Sequence, residues 1–180
     1  MSEEIKNHLT HSDVFPEPEY QLSILRRSPQ IPFPMHTHDF SELVIVYGGR
    51  GAHYNSDEEY MLSSGDVFVI QGNTAHGYRQ LESLELINII YDDKNLPFPK
   101  EDLMNLSGYH ALFTWEPRLR SEHNFKSRLR LSPKELSKAI RLTASIENEL
   151  EGKKAGYKFM ALAAFMQLCG FLSRCYDESK

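Results

Sequence analysis

Cysteine is almost absent. Cys169 and Cys175 are the two in 180 residues, too few for the disulfide framework of a small secreted domain. They lie six positions apart in one apolar segment, so on a helix they point in different directions. They read as free, buried thiols of a reducing compartment. Long apolar runs are absent as well. The most apolar stretch, Phe159 to Leu172, covers fourteen residues, whereas a bilayer-spanning helix needs about 20. The opening Met1-Ser2-Glu3-Glu4 has neither the basic nor the apolar region of a signal peptide. Excess positive charge is missing too: Lys and Arg number 20 against 25 Asp and Glu, for a net charge of −5. A domain that grips nucleic acid by itself usually carries a basic surface. These absences point to a soluble, cytoplasmic chain that binds neither membrane nor, on its own, nucleic acid.

What is present is ordinary globular material. Hydrophobic residues make up 41% and charged residues 25%, which excludes disorder or low complexity as the main content. The length suits one domain. Texture divides the chain into a polar lead-in over 1–19, a strand-rich unit over 20–115, a connector over 116–131 and a helical segment over 132–176. Short runs dense in Val, Ile, Tyr and Phe predict strands at Tyr20–Arg26, Phe40–Tyr47, Gly51–Asn55, Glu59–Leu62, Asp66–Ile70, Ala75–Arg79 and Leu84–Tyr91. Turn signals such as Gly48-Gly49 and Ser63-Ser64-Gly65-Asp66 separate them. That spacing points to an antiparallel sandwich or barrel. A short helix at Glu101–Leu106 and a strand at Ala111–Thr114 are expected beyond it. Arg118, Arg120, Lys126, Arg128 and Arg130 gather in the connector and read as a solvated stretch.

The helical segment carries clear signals. Ser132-Pro133-Lys134-Glu135 is a capping box with proline at the first helical position. Leu136, Ala139, Thr143, Ile146 and Leu150 then recur on one helical face, and Gly152 is a plausible stop. A second helix from about Gly156 carries Ala161, Phe165, Leu168, Leu172 and Cys175 on one stripe. Met160, Ala164, Met166 and Phe171 lie off it. A helix apolar on nearly every face must be covered on more than one side. A homodimer is therefore expected, with Phe165, Leu168 and Leu172 at the interface.

The chemistry concentrates in four residues. His36 and His38 stand at i and i+2, so on one strand they share a face. Glu42 shares that parity, with Phe40, Val44 and Val46. His76 arrives from a later strand. Three imidazoles and a carboxylate suit a divalent transition metal such as Zn, Ni, Fe or Mn, with positions left open for a ligand. The same residues would equally make a polar pocket bonded to water or a small solute. Tyr78, and Asn88 within an otherwise apolar strand, complete the candidate ligand-binding set.

His36-x-His38-x3-Glu42-x6-Gly49 resembles the first cupin motif, and Gly65-x5-Gln71-Gly72-x3-His76 the second. The resemblance implies a mostly β fold: a cupin-type antiparallel jelly-roll barrel followed by two C-terminal α-helices, with His36, His38, Glu42 and His76 on the metal positions. Gln30, Gln71 and Gln80 depart from the motifs and weaken the case for a catalytic cupin. More narrowly, Pro34-Met35-His36-Thr37-His38-Asp39-Phe40-Ser41-Glu42-Leu43-Val44-Ile45-Val46, Gly65-Asp66-Val67-Phe68-Val69-Ile70 and Leu86-Ile87-Asn88-Ile89-Ile90-Tyr91 resemble the effector domain of AraC-family transcription regulators, and its rhamnose-responsive branch. That resemblance implies a non-enzymatic sensor. The barrel would bind a small-molecule effector, such as a sugar, and the helices would pair subunits. A C-terminal helix-turn-helix module, not seen in this sequence, would contact DNA. The chain then reads as an excised sensor domain. A stand-alone metal-dependent isomerase or dioxygenase is the competing expectation.

Overall fold

The computed structural model describes residues 7–115, apart from 57, 93, 98 and 100, and residues 129–178. Four of the five basic residues of the expected connector, Arg118, Arg120, Lys126 and Arg128, lie outside the described residues. The strands are β1 (Asn7–Leu9), β2 (Leu22–Arg27), β3 (Phe33–His38), β4 (Ser41–Tyr54), β5 (Glu59–Ser63), β6 (Asp66–Gln71), β7 (His76–Tyr91) and β8 (Leu129–Arg130). The helices are α1 (His11–Val14), α2 (Pro133–Gly152) and α3 (Tyr157–Glu178), with short helical turns at Leu103–Asn105, within the helix expected over Glu101–Leu106, and at Ser107–Tyr109. The strands form one continuous sheet in the order β1-β3-β7-β4-β6-β8, with β2 paired to β7 and β5 to β4. This is the expected mostly β, cupin-type barrel followed by two helices.

Two strands are longer than the sequence pattern suggests. The runs Phe40–Tyr47 and Gly51–Asn55 join as β4, and Ala75–Arg79 and Leu84–Tyr91 join as β7. β4 and β7 pair antiparallel from Ser41↔Tyr91 to Tyr54↔Gly77, with register shifts between Val46 and Ala52. The glycine pair is a bend inside a strand rather than a turn between two. Gly49 has φ +65°, and a Cβ there would lie 1.9 Å from the Ser83 carbonyl oxygen. Only glycine tolerates that approach. At Ala111–Thr114 the expected strand is instead part of a helical run over His110–Trp115.

Strand alternation sorts the core into two. Leu43, Ile45, Val67, Val69, Ile87 and Ile89 face outward onto the helices, against Ala139, Ile146, Ala161, Phe165, Leu168 and Leu172. Val44, Val46, Phe68, Ile70, Leu84 and Leu86 fill the barrel interior with Tyr78 and Leu62. The capping box forms as expected: Glu135 N donates to Ser132 Oγ at 3.4 Å, and Ser132 N to Glu135 Oε2 at 2.7 Å. The left-handed residue ending α2 is Lys153 (φ 45°) rather than Gly152.

The expected dimer contacts are corrected here. Phe165, Leu168 and Leu172 are buried in the chain's own core, because this stripe of α3 covers the outer face of the sheet. The opposite face carries Phe159, 74% exposed, and Met160, 49% exposed. Both cysteines are free and buried. Tyr157–Tyr176 is longer than the fourteen-residue run noted above, and with a mean hydropathy of 1.3 it passes the length and composition test for a membrane span. Packing on the sheet accounts for much of its apolar character.

Residues 7–19, expected as a loose lead-in, pack on the domain. β1 runs parallel to β3. Leu9, Val14 and Phe15 cover Phe40 and Ile90. Further along, the Glu17 carboxylate accepts from Lys153 Nζ (2.9 Å), Lys158 Nζ (2.8 Å) and the Tyr157 hydroxyl (2.6 Å) at the α2–α3 turn.

Candidate functional site

Three strands bring the predicted residues together. β3 carries His36 and His38. Its pairing with β7 sets His36 opposite His76, and is irregular between Phe33 and His36, where Pro34 has no N–H to donate. The chain breaks at Asp39-Phe40 before β4 begins. Glu42 therefore lies on a different strand from His36 and His38. The single-strand face expected for all three is replaced by convergence of β3, β4 and β7.

The imidazole tautomers follow from geometry. His38 Nδ1 lies 2.7 Å from the Phe40 carbonyl oxygen, His76 Nδ1 2.9 Å from that of Thr74, and His36 Nδ1 3.1 Å from that of Pro34. A carbonyl only accepts, so each Nδ1 carries the proton and donates. That leaves a lone pair on the Nε2 of His38 and of His76. His38 Nε2 and His76 Nε2 are buried with no hydrogen-bond partner among the described residues. They lie 4.0 and 3.9 Å from the two Glu42 carboxylate oxygens.

Three acceptors thus converge on one buried point, with donor atoms all within 4.8 Å of one another. Such a set needs a cation or a proton at its centre. Tetrahedral coordination at about 2.1 Å would place ligand atoms about 3.4 Å apart, so small inward movements would complete the shell. His38, Glu42 and His76 fit a divalent metal. His36 is the exception among the four expected ligands. Its ring centroid lies 4.2 Å from that of His76, yet it falls outside the convergent set.

Burial governs the charges. It lowers the His38 imidazole to about 4 and His76 well below the usual histidine range. It also lowers His36, against hydrogen bonding to backbone at Pro34 and His76. Burial pushes the Glu42 carboxyl up to about 7, with the positive charge of Arg27 pulling the other way. The carboxyl proton is the metal-free substitute for a cation.

A cavity of about 290 Å³ opens beside this cluster. Its walls include Arg27, Gln30, Phe33, His36, Glu42, Tyr78 and Asn88. Leu9, Asp13 and Val14 of the N-terminal segment close one side. Of the six predicted ligand-binding residues, His36, Glu42, Tyr78 and Asn88 line it, while His38 and His76 stand behind Glu42. A larger hollow of about 700 Å³ between α2 and α3 is lined by Lys134, Lys138, Arg141 and Arg174 among others, none of them a member of the converging set. His53 was missed by the sequence reading. It is buried with its ring 5.4 Å from His76 and 5.2 Å from Tyr78. The shifts within β4 reverse the inward parity between Val46 and His53, so counting from Glu42 points it the wrong way. Arg27, just past the end of the predicted first strand, was missed as well.

A β-barrel with an open polar cavity, backed by two helices, defines a cupin-type ligand-binding domain. Residues 20–92 match the family model for the AraC-like ligand binding domain, which supports a ligand-binding domain of that type over those residues. It is 30% identical over 172 residues to the HTH-type transcriptional activator RhaR of Mannheimia succiniciproducens, covering 94% of this chain and 56% of that protein. It is 36% identical over 103 residues to RhaR of Escherichia coli K12, covering 57% and 36%. The chain spans about half the length of the first of these relatives. Among solved structures, KdgF from Halomonas aligns at 24% identity and a TM-score of 0.36, over 42% of this chain and 74% of that one. A cupin-2 domain protein from Shewanella frigidimarina aligns at 24% identity and a TM-score of 0.33, over 42% and 72%.

Proposed function

We propose that this domain senses a small effector in the barrel cavity and passes its presence to a helix-turn-helix DNA-binding module, in a cytoplasmic AraC-family regulator. The observation that carries this reading is the cavity itself, where His36, Glu42, Tyr78 and Asn88 converge over an apolar floor. Such a pocket, with few polar groups over apolar walls, is the usual form of a small-molecule site. The relatives bear the description HTH-type transcriptional activator, and a sugar is the effector class implied by the family resemblance. Effector binding acts on DNA contact only through a differential affinity for two arrangements, typically about 1–3 kcal/mol.

In this reading His38, Glu42 and His76 hold a divalent transition metal (Zn, Ni, Fe or Mn), and His36 stands beside it. A bound metal would supply a Lewis-acid anchor for an effector oxygen. Dimerisation uses the outer face of α3, where Phe159 and Met160 are exposed. The test is titration of this chain with candidate sugars, read by the resonances of Tyr78 and Asn88. Saturable shifts there support the reading, and turnover of the sugar would move it to the enzyme class.

A further inference from the structure

The doublet Arg26-Arg27 sends two guanidinium groups to opposite faces of β2, as strand alternation requires. Arg26 points outward to α2, where its Nε donates to Glu147 Oε2 at 2.7 Å and an Nη to Thr143 Oγ1 at 3.4 Å. Leu25 and Arg27 both line the barrel cavity, Arg27 exposed at its rim. Arg27 has no carboxylate partner among the described residues. The other rim charge, Asp13, is engaged with Thr10, whose backbone N–H and hydroxyl donate to its Oδ2 at 2.7 and 2.8 Å.

We infer that Arg27 receives an anionic group of the effector, so that the barrel takes a small hydroxylated carboxylate, a sugar acid, rather than a neutral sugar. This rests on the reading of the cavity as the effector site. In the β2–β7 register Leu25 faces Asn88 and Arg27 faces Leu86. Arg27 is therefore the diagonal neighbour of Asn88 on the inner face. Asn88 Oδ1 is buried and accepts no hydrogen bond from the described residues. A guanidinium grips a carboxylate through two parallel N–H donors, and an adjacent acceptor suits a hydroxyl on the same ligand. A single cation, with Asp13 on the same rim, matches a monoanion better than a phosphate dianion.

The experiment is an NMR titration of the isotope-labelled chain with matched probes: glucuronate against glucose, galacturonate against galactose, and glycolate against ethylene glycol. Glucose 6-phosphate serves as the phosphate arm. The expected result is saturable shifts at Arg27 and Asn88 with at least one acid, roughly 10- to 100-fold tighter than its neutral partner. Arg27→Gln should remove that preference while leaving the spectrum otherwise folded, and Arg27→Lys should retain part of it. Neutral sugars binding in the cavity as tightly as the acids, or acid binding unaffected by Arg27→Gln, would overturn the anion assignment and leave the cavity reading intact. Tightest binding by glucose 6-phosphate would overturn the carboxylate. Shifts confined to residues outside the barrel, or none with any probe, would overturn both.

Discussion

Replacing Glu42 with Gln removes a charge at almost constant volume, and the metal-free protein should respond in a pH-dependent way. Glu42 is almost wholly buried, and burial raises its carboxyl from 4.5 to about 7. A raised folded value means that the folded chain holds the proton where the unfolded chain has released it. The stabilising contribution is complete below pH 4.5 and is lost as pH rises through 7. At about 1.4 kcal/mol per pH unit, the loss reaches about 3 kcal/mol above neutrality. His38 works in the opposite sense. Its folded value falls to about 4, so it loses stability as pH drops below 6.5. The two partly cancel in the wild type between about pH 4.5 and 6.5. The difference between wild type and Glu42→Gln isolates the carboxyl. In chelator, urea unfolding should give nearly equal stabilities at about pH 4.5. Above neutrality Glu42→Gln should be more stable by about 3 kcal/mol, helped by its amide donating to the Nε2 of His38 or His76. With metal present the order should reverse, because the carboxylate is then a ligand. A pH-independent difference in chelator, or a less stable Gln variant at pH 8 without metal, would refute this account of the charges.

Other consequences are equally direct. His38→Gln and His76→Gln should abolish metal uptake measured by elemental analysis, while His36→Gln should retain it, since His36 lies outside the converging donors. Phe159→Glu combined with Met160→Glu should give a folded monomer by sedimentation. Leu168→Ala, by contrast, should cost about 2–5 kcal/mol by denaturant unfolding, as expected for a core leucine. Ser132→Ala should cost α2 about 1 kcal/mol of capping, read in the same unfolding assay.

Much of the site was legible because its signals are local. His36 and His38 are two residues apart, and strand alternation alone places them together. The capping box at Ser132–Glu135 is complete within four residues. Long-range features were hidden. The predicted strand begins at Phe40, close to the break at Asp39-Phe40, but no strand was predicted over Phe33–His38, and the shared parity of His36, His38 and Glu42 made them seem to share one strand face. Gly48-Gly49 has turn composition, yet continuous pairing with β7 carries the strand through it and reverses the parity that would have exposed His53. On α3 both faces are apolar. Excluding Phe165, Leu168 and Leu172 from a partner interface required knowing that the outer sheet face, Leu43 and Ile45 among it, needs covering first. The unequal fates of Arg26 and Arg27 depend on Glu147, more than a hundred residues away.

The N-terminal segment bears on how the domain is cut for study. Leu9, Asp13 and Val14 form one side of the cavity, and Glu17 gathers Lys153, Lys158 and Tyr157 at the helix turn. Glu17 follows Asp13 by four residue steps, at most about 14 Å of extended chain. A fragment trimmed to begin at Tyr20, where the family match starts, would retain every strand from β2 onward. It would have an unroofed cavity and an untethered helix hairpin. Affinities measured on such a fragment would report a different receptor.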